Sequence, residues 1–114
     1  MYNVKEFHNI MNQFSLSIVI PSYNEMANLQ KGTLEKVKNY LGKKEKEFSS
    51  EVIVVDDGSD DGSQEFVENF TKQNKTFKII KNQHSGKAGA VTAGVLSAKG
   101  DYVLFTDMDQ ATPI

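Results

Sequence analysis

The chain has 114 residues, 39% of them apolar and 25% charged, a balance that fits one folded domain rather than a disordered or fibrous segment. A formal net charge of −2 removes any general attraction to nucleic acid or anionic lipid, so an anionic ligand has to be gripped locally. There is no cysteine, which excludes disulfides, thiolate nucleophiles and zinc–thiolate sites, and no run approaches the ~20 apolar residues of a bilayer span, so the expected location is cytoplasmic.

Residues 1–15 read as an N-terminal extension, and the first strand is expected at Leu16 to Ile20, stopped by Pro21. Asn24 is a good N-cap for a first helix that carries Leu34, Val37 and Leu41 at helical spacing and ends at Gly42. Val52 to Val55 predicts the second strand. A second helix follows from Gly62 to Gln73, with Phe66, Val67 and Phe70 on one side. Phe77 to Ile80 predicts the third strand, and the third helix, Gly86 to Ala98, is built on Ala90, Val91, Gly94, Val95 and Ala98, small enough for close packing on a sheet. Tyr102 to Phe105 is the fourth strand.

The first two strand runs are nearly continuous in Ile and Val, as in strands buried on both faces of a parallel sheet. With right-handed crossovers, this order predicts an α/β fold: a Rossmann-like, doubly wound, mostly parallel sheet with helices on both faces. Ligands in such sheets bind beyond the carboxyl ends of the strands, where the strand order reverses. The residues that follow each strand are therefore the candidates.

After the first strand comes Pro21-Ser22-Tyr23-Asn24-Glu25, in which Tyr23 offers a planar face for a base or ring, although the segment also suits an ordinary strand-to-helix turn. After the second, residues 56–62 hold four aspartates and two glycines. Turn and capping preferences account for Gly58 through Gly62 but not for Asp56 and Asp57, whose adjacent charges repel unless a ligand or partner takes them up. A carboxylate accepts a hydrogen bond from the imide NH of a pyrimidine or the ring NH of guanine, which makes Asp57 a candidate base contact.

After the third strand, the glycine-rich stretch from Asn82 to Ala90 opens a helix, where backbone amides and Lys87 can meet phosphate. The full P-loop pattern is absent. His84, with no His or Cys nearby, reads as a loop residue rather than a metal ligand. After the fourth strand, Asp107-Met108-Asp109 can bring two carboxylates to one divalent cation, or can be a pair of turn aspartates before Pro113.

Together, Pro21 to Glu25, Val55 to Gly62, Gly86-Lys87 with Gly94, and Ala98-Lys99-Gly100-Asp101 leading to Asp107-Met108-Asp109 resemble the family 2 glycosyltransferases of the GT-A fold. Asp107 through Pro113 is similar to the D-A-D-L-S-T-P pattern of the branch acting on polyprenyl or dolichyl phosphate, with Met108 and Gln110 departing from it. The resemblance implies that residues 16–114 are a GT-A donor-binding domain truncated before the acceptor half. It assigns Pro21, Tyr23 and Glu25 to the nucleoside pocket, Asp57 to the base and Lys87 to the diphosphate, with Asn24, Gly58 and Ser59 also counted as substrate-binding. Asp107 would serve ribose or metal and Asp109 the metal, Mg²⁺ or Mn²⁺, both acting on the leaving group.

The implied reaction is inverting sugar transfer from a UDP- or GDP-sugar to a polyprenyl or dolichyl phosphate. The expected full-length protein is membrane-associated with this domain on the cytoplasmic side, and the fragment alone is inactive. Other classes share such a sheet. A phosphoacceptor signalling domain carries its acidic pair after the first strand, where this chain has Pro21-Ser22-Tyr23. A nucleotidyltransferase has a glycine- and arginine-rich loop there, and this chain has no arginine. A non-catalytic nucleotide-binding module fits the same residues and stays open, as do base, sugar and oligomeric state.

Overall fold

The computed structural model describes Asn3 and residues 14–109. Most of the expected extension and the Gln110 to Pro113 part of the terminal pattern lie outside the described residues. Within them, strands β1 (Ser15–Ser22), β2 (Ser49–Asp56), β3 (Phe77–Lys81) and β4 (Tyr102–Phe105) alternate with helices α1 (Met26–Gln30), α2 (Thr33–Lys43), α3 (Ser63–Gln73) and α4 (Lys87–Ser97).

All pairings are parallel and the sheet order is β3-β2-β1-β4. The chain builds outward from β1 through β2 to β3, then crosses back to lay β4 on the other side of β1. The order therefore reverses between β1 and β4, as expected for a doubly wound sheet.

Successive side chains of the central strands feed two cores. Ile18, Ile20, Val52 and Val54 pack with Leu29, Leu34, Val37, Leu41 and Val67 from α1, α2 and α3. Val19, Ile53 and Val55 pack on the opposite face against Ala90 of α4. Each fully buried Val or Ile stabilises the fold by about 1.5–3 kcal/mol, so these continuous runs hold the sheet together. At the amino ends of the strands, Glu51 accepts from the Ser17 hydroxyl and the Lys99 amide, and the Gly100 amide donates to Ser17 Oγ, pinning the entry to β4 beside β1.

Four local expectations need correction. The first helix is two: the chain breaks at Gly32, whose φ of 87° only glycine adopts easily, and Thr33 Oγ1 closes the turn by donating to the Asn28 carbonyl at 2.9 Å. Gly42 lies inside α2 rather than ending it. Asn24 does not cap α1; its own φ is 52°, and its side-chain oxygen accepts from the Asp60 amide instead.

Pro21 does not stop β1, which runs on to Ser22. Val19 accepts from the Thr106 amide on the β4 side, so Pro21, two residues on, turns its missing N–H toward the side that β4 has already left. On the outer flanks, Val95 and Leu96 of α4 face solvent rather than the sheet, and every residue of β4 is exposed.

Gly94 explains how α4 comes so close: a Cβ there would overlap a Val19 methyl and lie 3.0 Å from Val55 Cγ2, both on fully buried residues that cannot yield. A Cβ at Gly42 meets nothing within 4 Å. Gly94→Ala is therefore expected to lower stability by about 1–3 kcal/mol through overpacking, while Gly42→Ala raises it by up to about 1 kcal/mol through helix propensity. Urea unfolding midpoints check both signs.

Candidate functional site

The carboxyl ends of the strands surround a cavity of about 430 Å³ lined by Pro21, Ser22, Tyr23, Glu25, Asp57, His84, Gly86, Lys87, Ala90, Asp107, Met108 and Asp109. Its size falls within the range for small-molecule sites, and it lies at the reversal of strand order between β1 and β4.

Strand alternation settles the adjacent aspartates at the end of β2. Asp56 takes the Ser59 amide at 3.0 Å and Gln64 Nε2 at 3.2 Å. Asp57 points to the cavity side but is only 2% exposed. Its Oδ1 accepts from Asn82 Nδ2 at 3.0 Å and the Ser85 amide at 3.1 Å. Its Oδ2 accepts from the Gly86 amide at 2.9 Å and lies 3.0 Å from His84 Nδ1.

The Ser85 amide also lies 3.2 Å from Oδ2 and Ser85 Oγ 3.4 Å from Oδ1, so donors from four residues surround the carboxylate. For Asp57 the partner that takes up the charge is the loop after β3, whereas Asp56 Oδ1 is buried with no hydrogen-bond partner among the described residues. Burial opposes the charge on Asp57. Bonds from the Ser85 amide, Asn82 and the Gly86 amide, with the His84 ring nearby, outweigh it, and the carboxyl group ionises below its ordinary value of 3.8.

Asn24, Gly58 and Ser59 do not line the cavity; they lock its rim. The Asn24 amide donates to Ser59 Oγ at 2.9 Å and the Asp60 amide to Asn24 Oδ1 at 2.9 Å, joining the loops after β1 and β2. Asp61 adds a second tie, accepting from the Met26 amide at the start of α1 and the Ser63 amide at the start of α3. Gly58 has φ 83°, and a Cβ on it would stand 3.2 Å from the His84 amide nitrogen, so only glycine lets the two loops pack this closely.

On the opposite wall, Met108 is 1% exposed in the core while Asp107 and Asp109, on either side of it, border the cavity. The middle residue anchors the triplet. Lys87 Nζ sits 2.5 Å from Asp107 Oδ1, so one of the two carboxylates already has a cation against it. Among the described residues no three acidic or histidine side chains come together around one point. Two hard oxygen donors suit Mg²⁺ or Mn²⁺ held jointly with phosphate oxygens, the arrangement that magnesium sites favour. The residues fit such an ion.

Sequence reasoning missed His84. Its ring lies against Tyr23, centroids 4.3 Å apart and planes at 31°, which puts a residue read as a plain loop position inside the site.

The glycosyl transferase family 2 model matches residues 17–113. Over 112 residues the chain is 35% identical to the dolichyl-phosphate beta-glucosyltransferase of Dictyostelium discoideum, covering 94% of this chain and 34% of that protein. Over 103 residues it is 40% identical to the protein of that name from Mus musculus, covering 85% and 32%. The solved structure of the mannosyltransferase PcManGT from Pyrobaculum calidifontis, in complex with GDP-Man and Mn²⁺, matches with TM-score 0.72 and 25% identity over 85% of this chain and 28% of that one. The chain spans about a third of the length of these relatives.

Because ionised Asp57 is stabilised in the fold, its contribution is fully present above the ordinary value of 3.8 and is lost as the pH falls through the lower folded value. Asp57→Asn is expected to cost about 1–3 kcal/mol near neutrality, the range for leaving buried donors short of an acceptor. It should also flatten that share of the acid dependence and speed hydrogen exchange at the Ser85 and Gly86 amides. Urea unfolding against pH, with amide exchange, checks all three.

Proposed function

The chain belongs to glycosyl transferase family 2, and from that membership we propose that its cavity is the donor site of a metal-dependent, inverting glycosyltransferase. The donor is a UDP- or GDP-sugar and the acceptor a polyprenyl or dolichyl phosphate, as the names of the relatives suggest for a longer chain that carries this domain. Such a protein is membrane-associated and keeps this domain on the cytoplasmic side; in the described residues no helix is long and apolar enough to cross a membrane.

The observation that carries the reading is convergence. Tyr23 after β1, Asp57 after β2, Lys87 at the head of α4, and Asp107 and Asp109 after β4 border one cavity although they are far apart in sequence. Tyr23 and Asp57 address the base, with Pro21 and Glu25 beside them. Asp107 and Asp109 hold the divalent cation, which supplies positive charge for the diphosphate as it leaves.

Lys87 has a place in the same step. Paired with Asp107 it neutralises that carboxylate, and with a metal ion held by Asp107 and Asp109 its ammonium would be a second positive charge for the diphosphate. A phosphate acceptor arrives already ionised, so attack on the anomeric carbon needs no general base from this part of the chain. Asn24, Gly58 and Ser59 support the rim.

Nucleotide titrations with and without Mn²⁺ test the site. Mn²⁺ is expected to strengthen UDP or GDP binding to the wild type by roughly tenfold or more, since the nucleotide completes the ion's oxygen shell. The gain should vanish in Asp109→Asn while the metal-free affinity stays close to that of the wild type. An equal gain in wild type, Asp107→Asn and Asp109→Asn would make the triplet a turn and nothing more.

A further inference from the structure

We infer that His84 is a built-in competitor for the donor's base: its imidazole occupies both contacts that base recognition uses, and nucleotide binds as His84 swings away. The inference rests on the donor-site reading and concerns a residue which that reading leaves without a role. Tyr23 offers the base a face to stack on, and Asp57 offers it an acceptor. His84 engages both.

The imidazole packs on Tyr23 at 4.3 Å between centroids. Its Nδ1 stands 3.0 Å from Asp57 Oδ2 and 3.1 Å from the Asp57 carbonyl oxygen. Both neighbours of Nδ1 are acceptors, so Nδ1 carries a proton and donates, as the imide NH of uracil or the ring NH of guanine does. A flat ring on Tyr23 with an N–H on Asp57 reproduces the base in miniature. No base fits between the two rings, because three stacked layers need about 7 Å from first to last, twice a contact distance of roughly 3.5 Å.

Of the four partners of Asp57, His84 is the one able to leave. The Ser85 and Gly86 donors are backbone amides, and the Asn82 side chain is tied a second time, donating to Ser85 Oγ at 3.1 Å. The His84 side chain is 58% exposed and moves by rotation about its own bonds. When it turns out, the other three donors still hold the loop, and a place on Asp57 Oδ2 opens to the base. The apparent affinity for nucleotide is then the intrinsic affinity reduced by the fraction of molecules with His84 turned out.

Calorimetric titration of UDP and of GDP, each with Mn²⁺, into wild type and His84→Ala tests the inference. Alanine keeps the Cβ that packs near Gly58, so the loop retains its backbone path. The variant is expected to bind its preferred nucleotide roughly three- to tenfold more tightly, the worth of an aromatic contact converted to affinity. In the wild type, the His84 ring-proton resonances should leave the ring-current field of Tyr23 when that nucleotide is added.

Equal or weaker binding by a folded His84→Ala, or His84 resonances that stay put in the nucleotide complex, overturns the inference and leaves the donor site standing. If His84→Ala does not fold, the wild-type resonances decide. If neither nucleotide binds to the wild type or the variant, the donor-site reading fails and the competitor with it.

Discussion

Asp57 carries a negative charge where only 2% of its surface meets water, and a carboxylate in that setting stays ionised only if donors replace its lost hydration. The chain draws those donors from one place, the segment Asn82 to Gly86 between β3 and α4. The path of that segment follows from the charge it must surround. Two further facts then follow: His84 is carried onto Tyr23, and Lys87, one residue beyond the last amide donor, starts α4 facing Asp107. The left-handed backbone at Gly58 answers the same demand, since a side chain there would push the loop off its carboxylate.

Around this centre the polar ties are arranged in two tiers. At the carboxyl ends of the strands, Asn24, Ser59, Asp60 and Asp61 join the loops after β1 and β2 and hold the first turns of α1 and α3. At the opposite end, Ser15, Ser17 and Glu51 fasten the approach to β4 through Lys99, Gly100 and Asp101. Both tiers use backbone amides as donors and, Glu51 apart, short side chains as acceptors, which leaves little rotamer freedom to lose on folding. The cavity thus has a stiff floor and rim, and its movable parts are the longer side chains of His84 and Lys87.

How much of this a reader can take from the sequence depends on the distance between partners. The sheet is legible because Ile18 to Ile20 and Val52 to Val55 are apolar without interruption, and the handedness of the crossovers then puts helices on both of its faces. The break before α2 is written locally in Gly32-Thr33, but the regular spacing of Leu34, Val37 and Leu41 masks it. Asn24 looks like a cap because capping residues and left-handed residues share a composition; only its bond to Asp60, 36 positions away, tells them apart. The partners of Asp57 lie 25 to 29 positions downstream, so a local reading of Asp56-Asp57 finds unbalanced charge and does not tell whether a ligand or a partner takes it up. The catalytic-looking residues were visible as residue types. What they touch was not.

The edge strand β4 has a further consequence for the domain in isolation. Tyr102, Val103, Leu104 and Phe105 are between 42% and 62% exposed, with no charge or proline among them, and among the described residues no strand pairs with the outer side of β4. Such an edge is a template for intermolecular strand addition, and a net charge of −2 provides weak colloidal repulsion against it. Dispersal in solution is therefore limited by four residues at the border of the sheet, and a lysine on the outward face of β4 would relieve that limit without touching the cavity.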